Sequence, residues 1–230
     1  MNIQILHLLE GARAATGLTV IIDVFRAFSL ECYLTAAGVA EIIPVGSEQL
    51  SRELKQEHPE YILAGERGGD KLPGFDYGNS PAQVEGEQLS GKTVVHTTSA
   101  GTQGIENAVN ADEVITGSLV NAAAIARYIR ARNPETVCLV GMGVETKFIA
   151  DEDLLCAEYI RSLLLGEPFD LAARIEALKT TTGARFFDPA RQIHNPRRDF
   201  ELCTQVNRFD FVLQVSRHAD GLNYTRRIDI

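Results

Sequence analysis

Gly17–Asp23 reads GLTVIID, and Gly91–Thr97 reads GKTVVHT. Each is a glycine followed by a β-branched apolar run that closes on polar residues. A run of this kind, without polar alternation, predicts a strand covered on both faces. The similarity spreads outward from these two segments. AEIIPVGS (Ala40–Ser47) parallels DEVITGS (Asp112–Ser118), and HPEYILAGE (His58–Glu66) parallels NPETVCLVGMG (Asn133–Gly143). The offsets are 74 residues at Gly17, 72 at Glu41, 71 at the Gly-Ser pair, 75 at Pro59 and 76 at Gly65. Offsets this constant point to a duplicated supersecondary unit, with copies at about residues 17–66 and 91–143.

Helical stretches separate the strands of each unit. They are RAFSLECYLTAAG and SEQLSRELKQEH in the first copy, SAGTQGIENAVN and SLVNAAAIARYIRAR in the second. Ser47 and Ser118 suit helix N-caps. ADEDLLCAEYIRSLLLG adds a helix with apolar residues at Leu154, Leu155, Ile160, Leu163 and Leu164, and FDFVLQVS reads as a late strand. Apolar strands alternating with helices predict an α/β fold. The expectation is one domain over residues 1–230, a three-layer α/β/α sandwich around a mainly parallel or mixed sheet.

Composition narrows the function. The 230 residues carry a formal net charge of -9, which argues against nucleic acid as a partner. No stretch approaches the ~18 apolar residues of a membrane span. The N-terminus lacks the basic start and apolar run of a signal peptide. Cys32, Cys138, Cys156 and Cys203 form no C-x-x-C pair, so zinc is not expected. Buried free thiols are, and they suit a cytoplasmic protein. A homodimer is the base-rate expectation for oligomeric state.

Ligands of open α/β sheets bind beyond the carboxyl ends of the strands. Asp23 stands there, with Arg26 three residues on; the pair suits Mg²⁺ ligation and oxyanion binding, and equally a plain helix-dipole partner. HTTSAGT offers Thr97, Thr98, Ser99, Gly101 and Thr102, an anion cradle or an ordinary hydroxyl cap. Glu66 and Arg67 open a long loop, AGERGGDKLPGFDYGNSP (Ala64–Pro81), that ends with Asn79 and Ser80. Loops of that length are uncommon inside compact domains and usually functional or disordered. Asp151–Asp153 places three carboxylates in a first helical turn, where they complement the dipole or serve a metal. His96, within a strand, reads as a core residue, and His218 as a surface one. No D-x-D, C-x5-R or Walker arrangement is present.

Four segments together, IDVFRA, LAGERGGDKLPGFDYGNSP, HTTSAGTQGI and EDLLCAEYI, resemble the 2-phosphosulfolactate phosphatases. The resemblance runs from about Asp23 to Phe211. Two segments depart from the family pattern: TTSAGT is one residue longer than T-T-N-G-T, and VFRAFS replaces the D-V-L-R-A-T form. The resemblance implies Mg²⁺-dependent hydrolysis of 2-phospho-3-sulfolactate to 3-sulfolactate and phosphate, a step of coenzyme M synthesis. Under it, Asp23, Arg26, Glu66 and Arg67 are the expected catalytic residues. Asn79, Ser80, Thr98, Ser99, Gly101 and Thr102 are expected to bind the small anionic phospho-substrate. Asp23, Glu66 and Asp153 are the expected Mg²⁺ ligands. Two rivals stand beside this reading: a phosphatase for another small phosphorylated acid, and a non-catalytic module that binds anionic metabolites. The second would have no need of paired carboxylates at adjacent strand ends.

Overall fold

In the computed structural model, which describes residues 1–230, the chain opens with β1 (Asn2–His7) and α1 (Leu8–Ala14). The first repeat follows as β2 (Gly17–Ile22), α2 (Ala27–Ala36), β3 (Glu41–Pro44), α3 (Glu48–Glu57) and β4 (Ile62–Arg67). A loop carrying the two-residue strand β5 (Asp70–Lys71) and the short α4 (Pro81–Val84) leads to the second repeat. That repeat is β6 (Thr93–Thr97), α5 (Gly101–Asn107), β7 (Ala111–Gly117), α6 (Ala122–Arg132) and β8 (Thr136–Gly141). The tail holds α7 (Asp151–Leu165), α8 (Leu171–Leu178), α9 (Arg197–Cys203) and the hairpin β9 (Phe211–Arg217) and β10 (Asn223–Asp229).

The sheet order is β1-β8-β2-β7-β9-β10-β3-β6-β4-β5. It is parallel from β1 to β7 and from β3 to β4. The β9–β10 hairpin joins these halves through antiparallel pairs, and its junction with β3 is the single pair Thr225–Ile42. The repeats are exchanged in this order. β2, the first strand of repeat one, lies between β7 and β8 of repeat two; β6, the first strand of repeat two, lies between β3 and β4 of repeat one.

Both faces of each half are covered, which explains the uninterrupted apolar runs. Val20 and Ile22 face a core shared with Ile125, Ile129, Leu155 and Ile160 of α6 and α7. Their neighbour Ile21 faces Ala12 and Ile105, of α1 and α5. In the other half Val94 packs with Leu30 and Leu34 of α2, and Val95 with Leu54 of α3. The architecture is thus three-layer α/β/α on a mixed sheet. Ser47 caps α3 by accepting from the Leu50 N–H at 3.3 Å. Ser118 instead starts a single 3₁₀ turn ahead of α6. All four cysteines are buried and unpaired. No helix is long and apolar enough to cross a membrane.

Candidate active site

A cleft of about 220 Å³ opens where the carboxyl ends of β2 and β8 from one half meet those of β4 and β6 from the other. Its volume lies below the ~300 Å³ where drug-sized pockets begin, which suits a small metabolite. Three hydrophobic residues are among the seventeen that line it, so its chemistry is polar.

Asp23 leaves the end of β2 and is 6% exposed. Its Oδ1 accepts the Ala27 N–H at the start of α2 (3.2 Å), and no protein donor reaches Oδ2. A Cβ at position 101 would stand 2.9 Å from that Oδ2 and 2.9 Å from the Ala27 Cβ, so only glycine lets α5 begin so close to the carboxylate. Burial pushes the Asp23 carboxyl up to about 6; the Ala27 N–H opposes this, and repulsion from Glu66 and Glu152 adds to it.

The other carboxylates are more fully engaged. Glu66 Oε1 accepts from the Ser99 N–H (2.6 Å), and its Oε2 from the Gly69 N–H (2.7 Å) and the Ser99 hydroxyl (3.1 Å). Glu66 therefore ties the long loop to the turn after β6. Asp153, in the first turn of α7, takes the Val24 N–H on Oδ1 and the Gly143 N–H on Oδ2, both at 2.8 Å. It pins the end of β2 to the end of β8. Burial raises its carboxyl well above the ordinary range, and Asp23 and Glu152 raise it further. Glu152 beside it is 2% exposed, accepts the Thr182 hydroxyl and lines the same cleft.

Two arginines occupy the opposite electrostatic role. Arg26 is 4% exposed and is locked in place. Its Nη1 donates to Asp199 Oδ2 (2.7 Å) and the His194 carbonyl (2.9 Å), and its Nη2 to the Gly69 carbonyl (3.2 Å). Asp199 also accepts from the Ser80 hydroxyl (2.8 Å) and the Ala82 N–H (2.9 Å). Arg185, in a 3₁₀ turn after α8, donates to the Phe25 carbonyl (3.2 Å) and has no carboxylate within ion-pair distance.

The structure brings Asp23, Arg26, Glu66, Asn79, Ser99 and Asp153 to this one cleft, with Gly101 against Asp23. Asn79 is 7% exposed and its Oδ1 lacks any hydrogen-bond partner. Four expected residues stand elsewhere. Arg67 turns away to the Gly46 carbonyl (3.0 Å) and the Thr97 hydroxyl (2.9 Å). Ser80 is spent on Asp199. Thr98 and Thr102 bond one another: the Thr102 N–H donates to Thr98 Oγ1 (3.2 Å) and the Thr98 N–H to Thr102 Oγ1 (3.0 Å). That exchange holds the start of α5. His96 is fully buried with Nδ1 2.9 Å from Glu31, as a core residue. The sequence reading did not single out Arg185, Asn195, Val144 or Glu145 as lining residues, and took Glu152 only as part of the acidic turn Asp151–Asp153. Of these, Glu152 carried a signal, since it sits between two aspartates at a helix start.

A family model described as 2-phosphosulpholactate phosphatase matches residues 4–218. A probable 2-phosphosulfolactate phosphatase of Carboxydothermus hydrogenoformans is 36% identical over 224 residues, covering 92% of each chain. Proteins of the same name from Caldanaerobacter subterraneus subsp. tengcongensis and Bacillus subtilis are 34% and 30% identical. The first alignment covers 84% of this chain and 85% of the relative, and the second 90% of both. With a match from β1 into β9 and relatives aligned almost end to end, the chain belongs to the 2-phosphosulfolactate phosphatase family.

Proposed function

We propose that this protein is a phosphoric monoester hydrolase that converts 2-phospho-3-sulfolactate to 3-sulfolactate and phosphate with the help of Mg²⁺. The observation that carries the reading is Asp23: a buried carboxylate with one free oxygen, facing a polar cleft that also presents guanidinium groups. Family membership supports the reaction class and the substrate.

The donor set fits Mg²⁺. Mg²⁺ is typically held by one or two carboxylates, with water and substrate phosphate completing its shell. Asp23 Oδ2 is free; Glu66 lies near enough to repel it, and its own oxygens already accept from Ser99 and Gly69, so Asp23 would be the ion's main protein ligand. Carboxylates outnumber arginines along the cleft, so a cation would relieve their mutual repulsion. No three His, Cys, Asp or Glu side chains converge as a ready-made metal cage. Asp153, with both oxygens on backbone N–H groups, serves best by fixing the Asp23 segment. When bound, the ion would neutralise phosphoryl oxygens and acidify a water.

The chain's own groups do the rest. Arg26, held by Asp199, offers its remaining N–H groups to the phosphoryl oxygens, where a fixed donor stabilises developing charge. Ser99, anchored by Glu66, keeps the turn after β6 beside Asp23. Asn79 supplies an unpaired acceptor oxygen, suited to a hydrogen-bond donor such as a cation-bound water and not to an anion. Hydrolysis by a directly attacking water is the preferred route, and trapping a phospho-enzyme on Asp23 would overturn that preference in favour of nucleophilic attack.

The test is phosphate release from 2-phospho-3-sulfolactate with Mg²⁺ and with EDTA, beside a panel of phospho-lactates and sugar phosphates. Release that needs Mg²⁺ and falls at least 100-fold, on the order expected for a group in the reaction centre, in Asp23→Asn supports the reading. Release only from other phospho-acids would move the substrate. Tight binding of 3-sulfolactate without any hydrolysis would make the cleft a binding module.

A further inference from the structure

Beneath the cleft, Glu31 and His96 are both completely buried, with His96 Nδ1 2.9 Å from Glu31 Oε1. Glu31 is the one charged residue of α2, a helix that buries seven of its ten residues. The register partners of His96 are Pro44 on β3 and Ala64 on β4, neither of them charged. Val94, two residues back on the same face of β6, packs with Leu30 and Leu34. The surroundings of the pair are thus apolar, and Glu31 Oε2 and His96 Nε2 have no hydrogen-bond partner in the chain. A buried polar pair that is only half satisfied is a costly way to hold a helix on a strand. Two apolar side chains of similar volume would hold it as well or better. What the polar pair adds is direction: one hydrogen bond of defined length sets a register that apolar contacts leave free to slide.

The register it sets reaches the site. Ala27 lies four residues before Glu31, on the same face of α2. A Cβ on Gly101 would stand 2.9 Å from the Ala27 Cβ and 3.1 Å from the Phe28 ring, so the first turn of α2 rests on the start of α5. Gly101 follows His96 by five residues, through the turn that carries Ser99. One face of α2 therefore meets the β6–α5 segment twice, by close packing at Ala27 and by a hydrogen bond at Glu31. Asp23 is bound to that first turn: its Oδ1 accepts the Ala27 N–H (3.2 Å) and its carbonyl the Phe28 N–H (3.1 Å). A slide of α2 along β6 would carry Asp23 with it. We propose that Glu31 and His96 are positioning residues: their bond fixes α2 along β6, and so holds Asp23 against Gly101 with its free oxygen toward the cleft. The kinetic consequence rests on the phosphatase reading above; the steric consequence does not.

The experiment compares wild type, Glu31→Gln, and the paired change Glu31→Leu with His96→Leu, each with and without Gly101→Ala. The leucine pair should unfold at or above the wild-type Tm, since no polar group is then left buried without a partner. Its kcat for 2-phospho-3-sulfolactate at saturating Mg²⁺ should nevertheless fall about 10- to 100-fold, the effect of displacing a reacting group by up to about 1 Å. KM should change by less than about threefold. Glu31→Gln keeps an acceptor oxygen for His96 and should retain kcat within about threefold. Gly101→Ala reads the same geometry without turnover. In wild type α2 cannot retreat from the added methyl, and Tm should drop; in the leucine pair α2 can retreat, and the drop should shrink to about half or less, where independent sites would add. A leucine pair with wild-type Tm and wild-type kcat would overturn the proposal, as would equal drops on Gly101→Ala in both backgrounds. If wild type hydrolyses nothing while the two drops differ as expected, the positioning stands and the phosphatase reading fails. Should the leucine pair not fold, Glu31→Met set against Glu31→Gln carries the comparison, and equal kcat in those two folded variants would overturn the proposal.

Discussion

Asp199→Ala should be among the most damaging single substitutions outside the apolar core. Asp199 is fully buried, and its partner Arg26 has a side chain only 5% exposed. One carboxylate thereby joins three segments far apart in sequence: Arg26 ahead of α2, Ser80 and Ala82 at the end of the long loop, and α9 in the tail. Removing it leaves a guanidinium buried with no counter-charge, and a hydroxyl and a backbone N–H without their acceptor. Breaking a buried pair from one side costs about 3–5 kcal/mol. For a chain of this size each kcal/mol lowers Tm by roughly 2–4 °C, so the fall should be on the order of 6–20 °C. Urea titration and thermal unfolding would measure it. Arg26→Met with Asp199→Leu should recover most of the loss, because no charge is then left unpaired. A loss under about 1 kcal/mol for the single change would refute the reasoning, since it would mean that water reaches Arg26 and the pair is not desolvated.

Three further outcomes are expected. Gly101→Ala must displace either the Asp23 carboxylate or Ala27; overpacking should cost about 1–3 kcal/mol, and a shift of Asp23 should cut kcat roughly 100-fold, both readable from unfolding curves beside steady-state rates. In EDTA, the raised Asp23 carboxyl means the folded chain binds more protons than the unfolded one between about pH 4 and pH 6. Stability should therefore fall as pH climbs through that window, by up to about 3 kcal/mol; Asp23→Asn should flatten the decline, and an unchanged decline would remove Asp23 as its source. With all four cysteines buried, and burial raising the thiols of Cys32, Cys156 and Cys203, a chromogenic disulfide should titrate no thiol in the native protein and all four in denaturant.

Much of the fold was legible because apolar runs flanked by glycine announce buried strands: the six repeat strands and the helices between them fall where the pattern puts them. β1 and β10 were not read. NIQILH is a short edge segment with no turn signal before it, and NYTRRID is mostly polar, with Thr225 its one buried residue. Strand order was not legible either, since periodicity reports which faces are covered and not which strand is the neighbour. In the site, Asp23 and Glu66 stood out as carboxylates closing apolar runs. Placing Arg67 beside Glu66 ignored the pleat: successive residues of β4 point to opposite faces, so one of the two had to leave the cleft. Thr98, Ser80 and Thr102 had hydroxyls that served either the backbone or a ligand, and their local hydrogen bonds decided for the backbone and Asp199.

The exchange of β2 and β6 also sets how the molecule comes into being. A chain emerging from the ribosome finishes its first repeat with a gap in the middle, because β3 and β4 have nothing between them until β6 is made. β2 waits longer, with neither flank present until β7 and β8 follow. Pairings of such long sequence separation are slow to form and leave strand edges open meanwhile. Neither repeat can be completed alone: the β3-β6-β4 half can close once Thr97 is made, but the half built around β2 must wait for Gly141, so a chain truncated before β8 should be prey for proteases and chaperones. The same arrangement protects the finished enzyme: local opening of either half unmakes the shared cleft, so any molecule able to bind substrate has both halves in place.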